Sequence, residues 1–193
     1  MKKQLLSSLV ASLMMSSAVF AADEYSIDAT HTFPSFEINH LGYSTQRGRF
    51  NKTSGQLTLD LAAKKGSIDV IIDVVSLDTG LKKLEDHLLG EDFFNVKEFP
   101  TITFKGNDFT FEGDKLVSVA GDFTLHGVTK PTVLKVEHFK CAPHPMFKVE
   151  TCGADVSTTI KRTAFEMGKY APALGDDVKI QIQVEAVKEA VKK

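Results

Sequence analysis

The chain lacks every compact catalytic signature. It has no G-x-S-x-G elbow, no H-E-x-x-H helix, no P-loop and no Rossmann glycine fingerprint, so the enzyme classes defined by those motifs find no support. Cysteine is scarce: Cys141 and Cys152 are the only two, and their spacing is not the C-x-x-C of a redox pair. Basic charge is not in excess either. Without residues 1–21, which carry two Lys and no acid, 21 basic residues face 25 acidic ones, a formal charge of −4. That balance argues against nucleic acid as a partner, because phosphate backbones demand clustered Lys and Arg. There is no internal repeat, no low-complexity linker and no second-domain boundary.

What is present begins with a leader. Lys2 and Lys3 precede the apolar stretch Leu5 to Phe20, and Val19-Phe20-Ala21 suits cleavage after Ala21. Serines interrupt the stretch, which disfavours a retained membrane span. Neither a twin Arg nor a lipid-bearing Cys accompanies it. Residues 1–21 are therefore expected to be a secretory signal, and 22–193 a single domain exported to the periplasm. In an oxidising compartment Cys141 and Cys152 most simply pair with each other across the Pro143-His144-Pro145 turn. Closing such a loop stabilises by roughly 3 kcal/mol. Metal binding by Cys141, His144 and Cys152 is the weaker alternative.

Period-2 alternation dominates the rest. Ile68, Val70, Ile72 and Val74 share a face, as do Val117, Val119, Phe123 and Leu125, and again Val178, Ile180, Ile182 and Val184. Shorter copies occur at Leu57/Leu59/Leu61, Ile102/Phe104, Leu134/Val136 and Ala154/Val156/Thr158/Ile160, and turn signals such as Gly106-Asn107-Asp108 separate them. About eight strands with one dry face each make an all-β sandwich or up-and-down barrel. Alternation alone does not decide whether the dry faces pack on each other or line a cavity. Gly121, which interrupts one apolar face, favours a cavity by leaving space.

Two stretches break the strand pattern. Leu81, Leu84 and Leu88 recur at helical spacing, with Asp78 or Thr79 as N-cap and Gly90 as terminator, and Phe93-Phe94 follow. The second, Arg162 to Leu174, carries Phe165, Met167 and Tyr170. Both read as apolar covers over a barrel end. The six histidines, His31, His40, His87, His126, His138 and His144, are scattered without ligand spacing, and read best as turn and strand-end residues making ordinary hydrogen bonds. Arg162 either anchors a polar head group at a cavity mouth or, preferably, pairs with an acid such as Asp92.

Taken in order, several segments resemble the YceI-like family of secreted lipid-binding proteins. They are Tyr25-Ser26-Ile27-Asp28 with His31, His40-Leu41-Gly42-Tyr43-Ser44, Ser76-Leu77-Asp78-Thr79-Gly80, His87-Leu88 and Asp92-Phe93-Phe94-Asn95-Val96, followed by Phe99-Pro100-Thr101-Ile102-Thr103-Phe104, the run from Gly121 to Pro131, and Arg162. The resemblance implies an extended, lipocalin-like, eight-stranded antiparallel barrel with a short helical cap. It also implies an apolar channel for an isoprenoid chain, that of a polyprenyl compound or a quinone. Cys141 and Cys152-Gly153, with Ser157-Thr158-Thr159-Ile160, further resemble a neisserial-type branch associated with ubiquinone and with homodimers. Leu84 and Glu85 stand where many relatives carry an Arg before the His-Leu pair, which removes that residue as a head-group grip.

The expected function is a non-enzymatic periplasmic carrier, without a catalytic cofactor and with at most transient membrane contact. The alternative is a metal- or redox-linked module using the histidines. The strand faces assign Phe36, Ile38, Leu57, Ile72, Val74 and Phe104 to the channel wall, with Phe123, Leu125, Val156, Ile160 and Ile182. Leu84, Leu88, Phe93, Phe94, Phe165, Met167 and Tyr170 are assigned to the caps. A one-residue register slip would flip any strand's set.

Overall fold

A computed structural model describes residues 22–190. The expected leader, residues 1–21, lies outside the described residues. The alternating segments become β1 (Asp23–Ile27), β2 (Phe33–His40), β3 (Ser44–Phe50), β4 (Thr53–Asp60), β5 (Lys65–Asp73), β6 (Leu77–Asp78), β7 (Thr101–Glu112), β8 (Lys115–Leu125), β9 (Val128–Pro143), β10 (Glu150–Lys161) and β11 (Leu174–Lys188). Eight of them close an antiparallel barrel in the order β1-β4-β5-β7-β8-β9-β10-β11, with β11 returning to β1. Closure removes the edges of the barrel proper, which would otherwise template aggregation.

The barrel departs from a simple meander at its first wall. β11 pairs with β1 through Ala186↔Ile27 and with β2 through Gln183↔Phe33, so β1 and β2 are one wall interrupted at residues 28–32. The Thr32 hydroxyl bridges the break, accepting the Glu185 N–H at 3.2 Å and donating to the Glu185 carbonyl at 3.3 Å. β4 then continues beside β1, whereas β2 turns outward into the β3 hairpin and β6. Tyr25 pegs the closure from inside: it is fully buried and donates to Glu150 Oε1 at 2.5 Å. Burial first, and then the Glu150 carboxylate, push its phenol pKa upward.

Two strands run through points where the sequence signals a turn or unbroken alternation. Gly106-Asn107-Asp108 is a bulge inside β7, since Gly106 opposes Gly121 and Asp108 opposes Ala120. The extra residue switches the inward set from Ile102, Phe104 and Gly106 to Phe109 and Phe111. A second bulge skips Val117, so Leu116 is buried in its place. Gly121 does not leave cavity space. A Cβ there would stand 2.2 Å from the Lys105 carbonyl and 2.5 Å from the Gly106 Cα, so it permits close approach of two backbones.

α1 spans Lys82–Leu88, with Leu81 at its start. The expected caps do other work: the Asp78 carboxylate accepts the Gly80 N–H at 2.9 Å, and the Thr79 N–H goes to Glu85 Oε1 at 3.0 Å. Leu81, the N-cap residue, makes no side-chain cap, and Glu85 instead ties the helix to the segment before it through the Thr79 N–H. It ends through Leu89, one residue before Gly90. Cys141 and Cys152 face each other in the β9–β10 ladder and form a disulfide. Among the described residues no helix is long and apolar enough to cross a membrane.

Candidate functional site

The inward side chains leave the barrel partly empty. β2 contributes Pro34, Phe36 and Ile38, and β10 and β11 contribute Ile160, Val178, Ile180 and Ile182, to a cavity of about 460 Å³. Ile72, Ile102, Phe123 and Leu125 form its opposite wall. A second chamber of about 100 Å³ lies among Leu57, Phe104, Phe109, Leu116, Val136, Phe139, Val156 and Val184. Pro34, Ile72 and Ile182 line both spaces and form a collar between them. The larger space alone is in the range of small-molecule sites.

Polarity is graded along this channel. His40, Gln46, Arg47, His87 and Arg162 stand on the wall of the outer chamber only. The inner one carries two polar side chains, Thr32 and Thr53, both 1% exposed. Thr32 is doubly hydrogen-bonded in the strand break, whereas the Thr53 hydroxyl has no partner among the described residues. Leaving a hydroxyl unpaired in an apolar site costs about 1–3 kcal/mol. The near-isosteric Thr53→Val is therefore expected to raise stability by about 1 kcal/mol, and Thr32→Val to lower it, both read as shifts of the urea midpoint at constant slope.

Aromatic rings build the outer cover. Phe50 and Phe94 meet edge to face at 5.7 Å, and Phe36 lies 6.0 Å and 6.5 Å from them. Phe93 packs between His87, at 5.0 Å, and Tyr170, at 6.3 Å. β3 shows no apolar alternation because Gly48 yields its side-chain space to Phe36: a Cβ there would stand 2.6 Å from that ring. Phe50 is thus a wall residue that strand pattern alone does not reveal.

Arg162 is 3% exposed and makes no carboxylate pair among the described residues. Its Nε donates to the Gly175 carbonyl at 2.7 Å, Nη1 to Lys169 at 2.9 Å and to Met167, and Nη2 to Leu174 at 3.0 Å. The expected partner Asp92 is taken by Lys169, at 3.2 Å. Burial pushes the guanidinium pKa down, and Asp176 opposes that shift. Arg162 therefore holds the 166–175 loop over the mouth by its backbone.

The structure places sixteen of the eighteen sequence-assigned wall and cap residues on one chamber or the other. Leu57, Phe104 and Val156 are on the inner one, Ile72 and Ile182 on both, and the rest on the outer one. Val74 and Phe165 fall off the channel. Alternation stops at Asp73 because Val74 opens a single 3-10 turn and is buried in the core. Phe165 sits in a similar turn, Arg162–Phe165, and packs edge to face on Phe123 at 5.6 Å.

Among the described residues no two histidines share a metal-sized cluster. His31 alone stands with two carboxylates, Asp28 and Glu185, their candidate atoms within 4.8 Å of one another, at the β1–β2 break and off the channel wall. The 2.7 Å bond to Asp28 raises the His31 pKa above its ordinary value. His126 makes no ordinary hydrogen bond: its ring nitrogens are buried without partners among the described residues, 4.4 Å from the Phe99 ring.

A closed antiparallel barrel with a dry internal channel, a polar outer end and an aromatic cover defines a class: barrels built to enclose an apolar ligand. Within it, the YceI-like domain model matches residues 25–186. Protein YceI of Escherichia coli O157:H7 is 34% identical over 194 residues, covering 98% of this chain and all of the relative. That of Salmonella arizonae is 33% identical over 192 residues, covering 98% of this chain and all of its own. The chain belongs to the YceI-like family. Burkholderia cenocepacia BcnA superposes with a TM-score of 0.72 at 27% identity, covering 82% of this chain and 98% of BcnA. A polyisoprenoid-binding domain from Saccharophagus degradans shares the fold with a TM-score of 0.64 at 18% identity, covering 86% of this chain and 98% of that domain.

Proposed function

We propose that this protein is a periplasmic carrier that binds one isoprenoid lipid, a polyprenyl compound or a ubiquinone-type quinone, with its tail in the channel and its polar group at the mouth. The observation that carries this reading is the pair of adjoining apolar chambers, with His and Arg side chains only at the outer end. A tail moved from water into such a space gains roughly 25 cal/mol for each Å² buried, and a carrier needs no reactive group to collect that energy. The polyisoprenoid-binding domain of Saccharophagus degradans, on the same fold, supports the ligand class. The disulfide fits an oxidising compartment.

Extraction of protein purified from its native periplasm is expected to release an isoprenoid lipid in about one-to-one ratio, identified by mass spectrometry. Protein stripped of that lipid is expected to take up added quinone. An empty extract together with no quinone uptake would refute the carrier.

A further inference from the structure

Large apolar side chains that the fold leaves in water stand on the outer chamber's wall or within a few residues of its wall residues. Tyr43 is 89% exposed, Leu81 58%, Tyr170 54% and Leu41 49%. They come from three separate connections: the β2–β3 turn, the approach to α1, and the loop that Arg162 holds. Leu41 and Tyr170 also line the outer chamber, so the ring is continuous with the cavity wall.

Two of these four positions have left-handed backbone. Leu41 and Gly42 both have positive φ, 56° and 78°, and Tyr43 N–H closes on the His40 carbonyl at 3.0 Å. A turn with two successive left-handed residues, here within the three-residue connection 41–43, ordinarily takes Asn or Asp before Gly, because a bulky side chain is disfavoured in the left-handed region. Here it holds a leucine, aimed at the mouth. Tyr170 is left-handed as well, with φ 62°. Both bulky residues thus keep a disfavoured conformation on the outer chamber's wall while staying half-exposed.

Most cations near the ring are paired in place, Lys83 of α1 being without a carboxylate partner among the described residues. Arg47 pairs with Glu37 at 2.9 Å, Lys169 with Asp92 at 3.2 Å, and Lys82 with Asp86. A surface built to meet anionic groups would leave most of its cations free, whereas this one presents Leu and Tyr side chains beside largely paired charge. Tyr is the residue of choice where water meets hydrocarbon. Four side chains around an opening also form no continuous patch of the kind a protein partner buries.

Resting on the carrier reading, we propose that this rim docks on the interface of a zwitterionic phospholipid bilayer. Leu41, Tyr43, Leu81 and Tyr170 insert shallowly, so that a lipid tail passes between bilayer and channel without crossing water. The test is flotation of the purified protein with phosphatidylcholine vesicles. Association is expected, unchanged by added salt or by anionic lipid. The double variant Tyr43→Ser, Leu81→Ser, which spares every channel-wall residue, is expected to lose at least tenfold of it while keeping its urea midpoint. In transfer of a dansyl-farnesyl probe to acceptor vesicles, the rate is expected to rise with vesicle concentration and to fall at least tenfold in the variant, with probe affinity in vesicle-free buffer unchanged. No flotation, equal flotation of the variant, dependence on anionic lipid, or a change of oligomeric state in the variant would overturn the proposal. Flotation without probe uptake would support docking and refute the carrier reading alone.

Discussion

Replacing Arg162 with Met is expected to release the mouth loop and abolish lipid retention. The side chain is buried, and its three nitrogens serve the carbonyls of Met167, Lys169, Leu174 and Gly175. Met fills much of the same volume but donates nothing. Each carbonyl left without a donor in a buried site costs about 1–3 kcal/mol, and partial rescue by entering water brings the expected loss to roughly 3 kcal/mol. Met167 and Tyr170 are wall residues carried by that loop, so the outer chamber should open as the loop lifts. Hydrogen exchange should then show lost protection of the amides whose carbonyl partners lie in the loop, notably Leu174 N–H on the Tyr170 carbonyl. Lys in place of Arg offers three donors from one point and should recover only part of the loss, since the four acceptors need a planar fork. If Arg162→Met kept both loop protection and lipid, the guanidinium would not be what positions the mouth.

The sequence made the walls legible and the irregularities not. β5, β10 and β11 alternate cleanly, so Ile72, Ile160 and Ile182 point into the barrel as a period-2 reading requires. Leu84, Leu88, Phe93 and Phe94 were legible as a cover because an amphipathic turn followed by two Phe has nowhere else to bury itself in a β protein. Phe109, Leu116 and Phe139 were not legible. A bulge at Asn107, another at Val117 and a third that skips Glu137 each shift the inward set by one residue, and nothing local marks a bulge until the partner strand is known. The role of Arg162 was hidden for a related reason. Its partners are backbone carbonyls, which every residue has, so side-chain pattern points toward an acid that another residue already holds. The join of β1 and β2 into one wall is likewise a fact of pairing with β11, not of either strand's own sequence.

Narrowing the collar is expected to change which lipids bind rather than whether any do. Ile182 lines both chambers and stands opposite Pro34 and Val156 in the ladders. Ile182→Phe adds bulk where the larger space leads to the smaller. Overpacking costs about 1–3 kcal/mol of stability, and the rest of the outer chamber's wall is unchanged. The tail of a long-chain quinone would then be refused entry to the inner chamber. Each buried methylene is worth about 0.8 kcal/mol, so keeping one five-carbon unit in water costs roughly 3–4 kcal/mol, on the order of a 10²–10³-fold loss of affinity. A quinone whose tail ends within the outer chamber loses nothing on this account. The measurement is a competition between short- and long-tailed quinones, and the expected outcome is a reversed preference. Leu57→Phe, at a residue of the inner chamber only, supplies a second variant that fills the same space without touching the collar. It should shift the preference the same way, by less, because its ring leaves the entrance open. Equal affinity for both tails in the two variants would mean that the inner chamber does not receive the ligand, and that the outer 460 Å³ is the whole of the site.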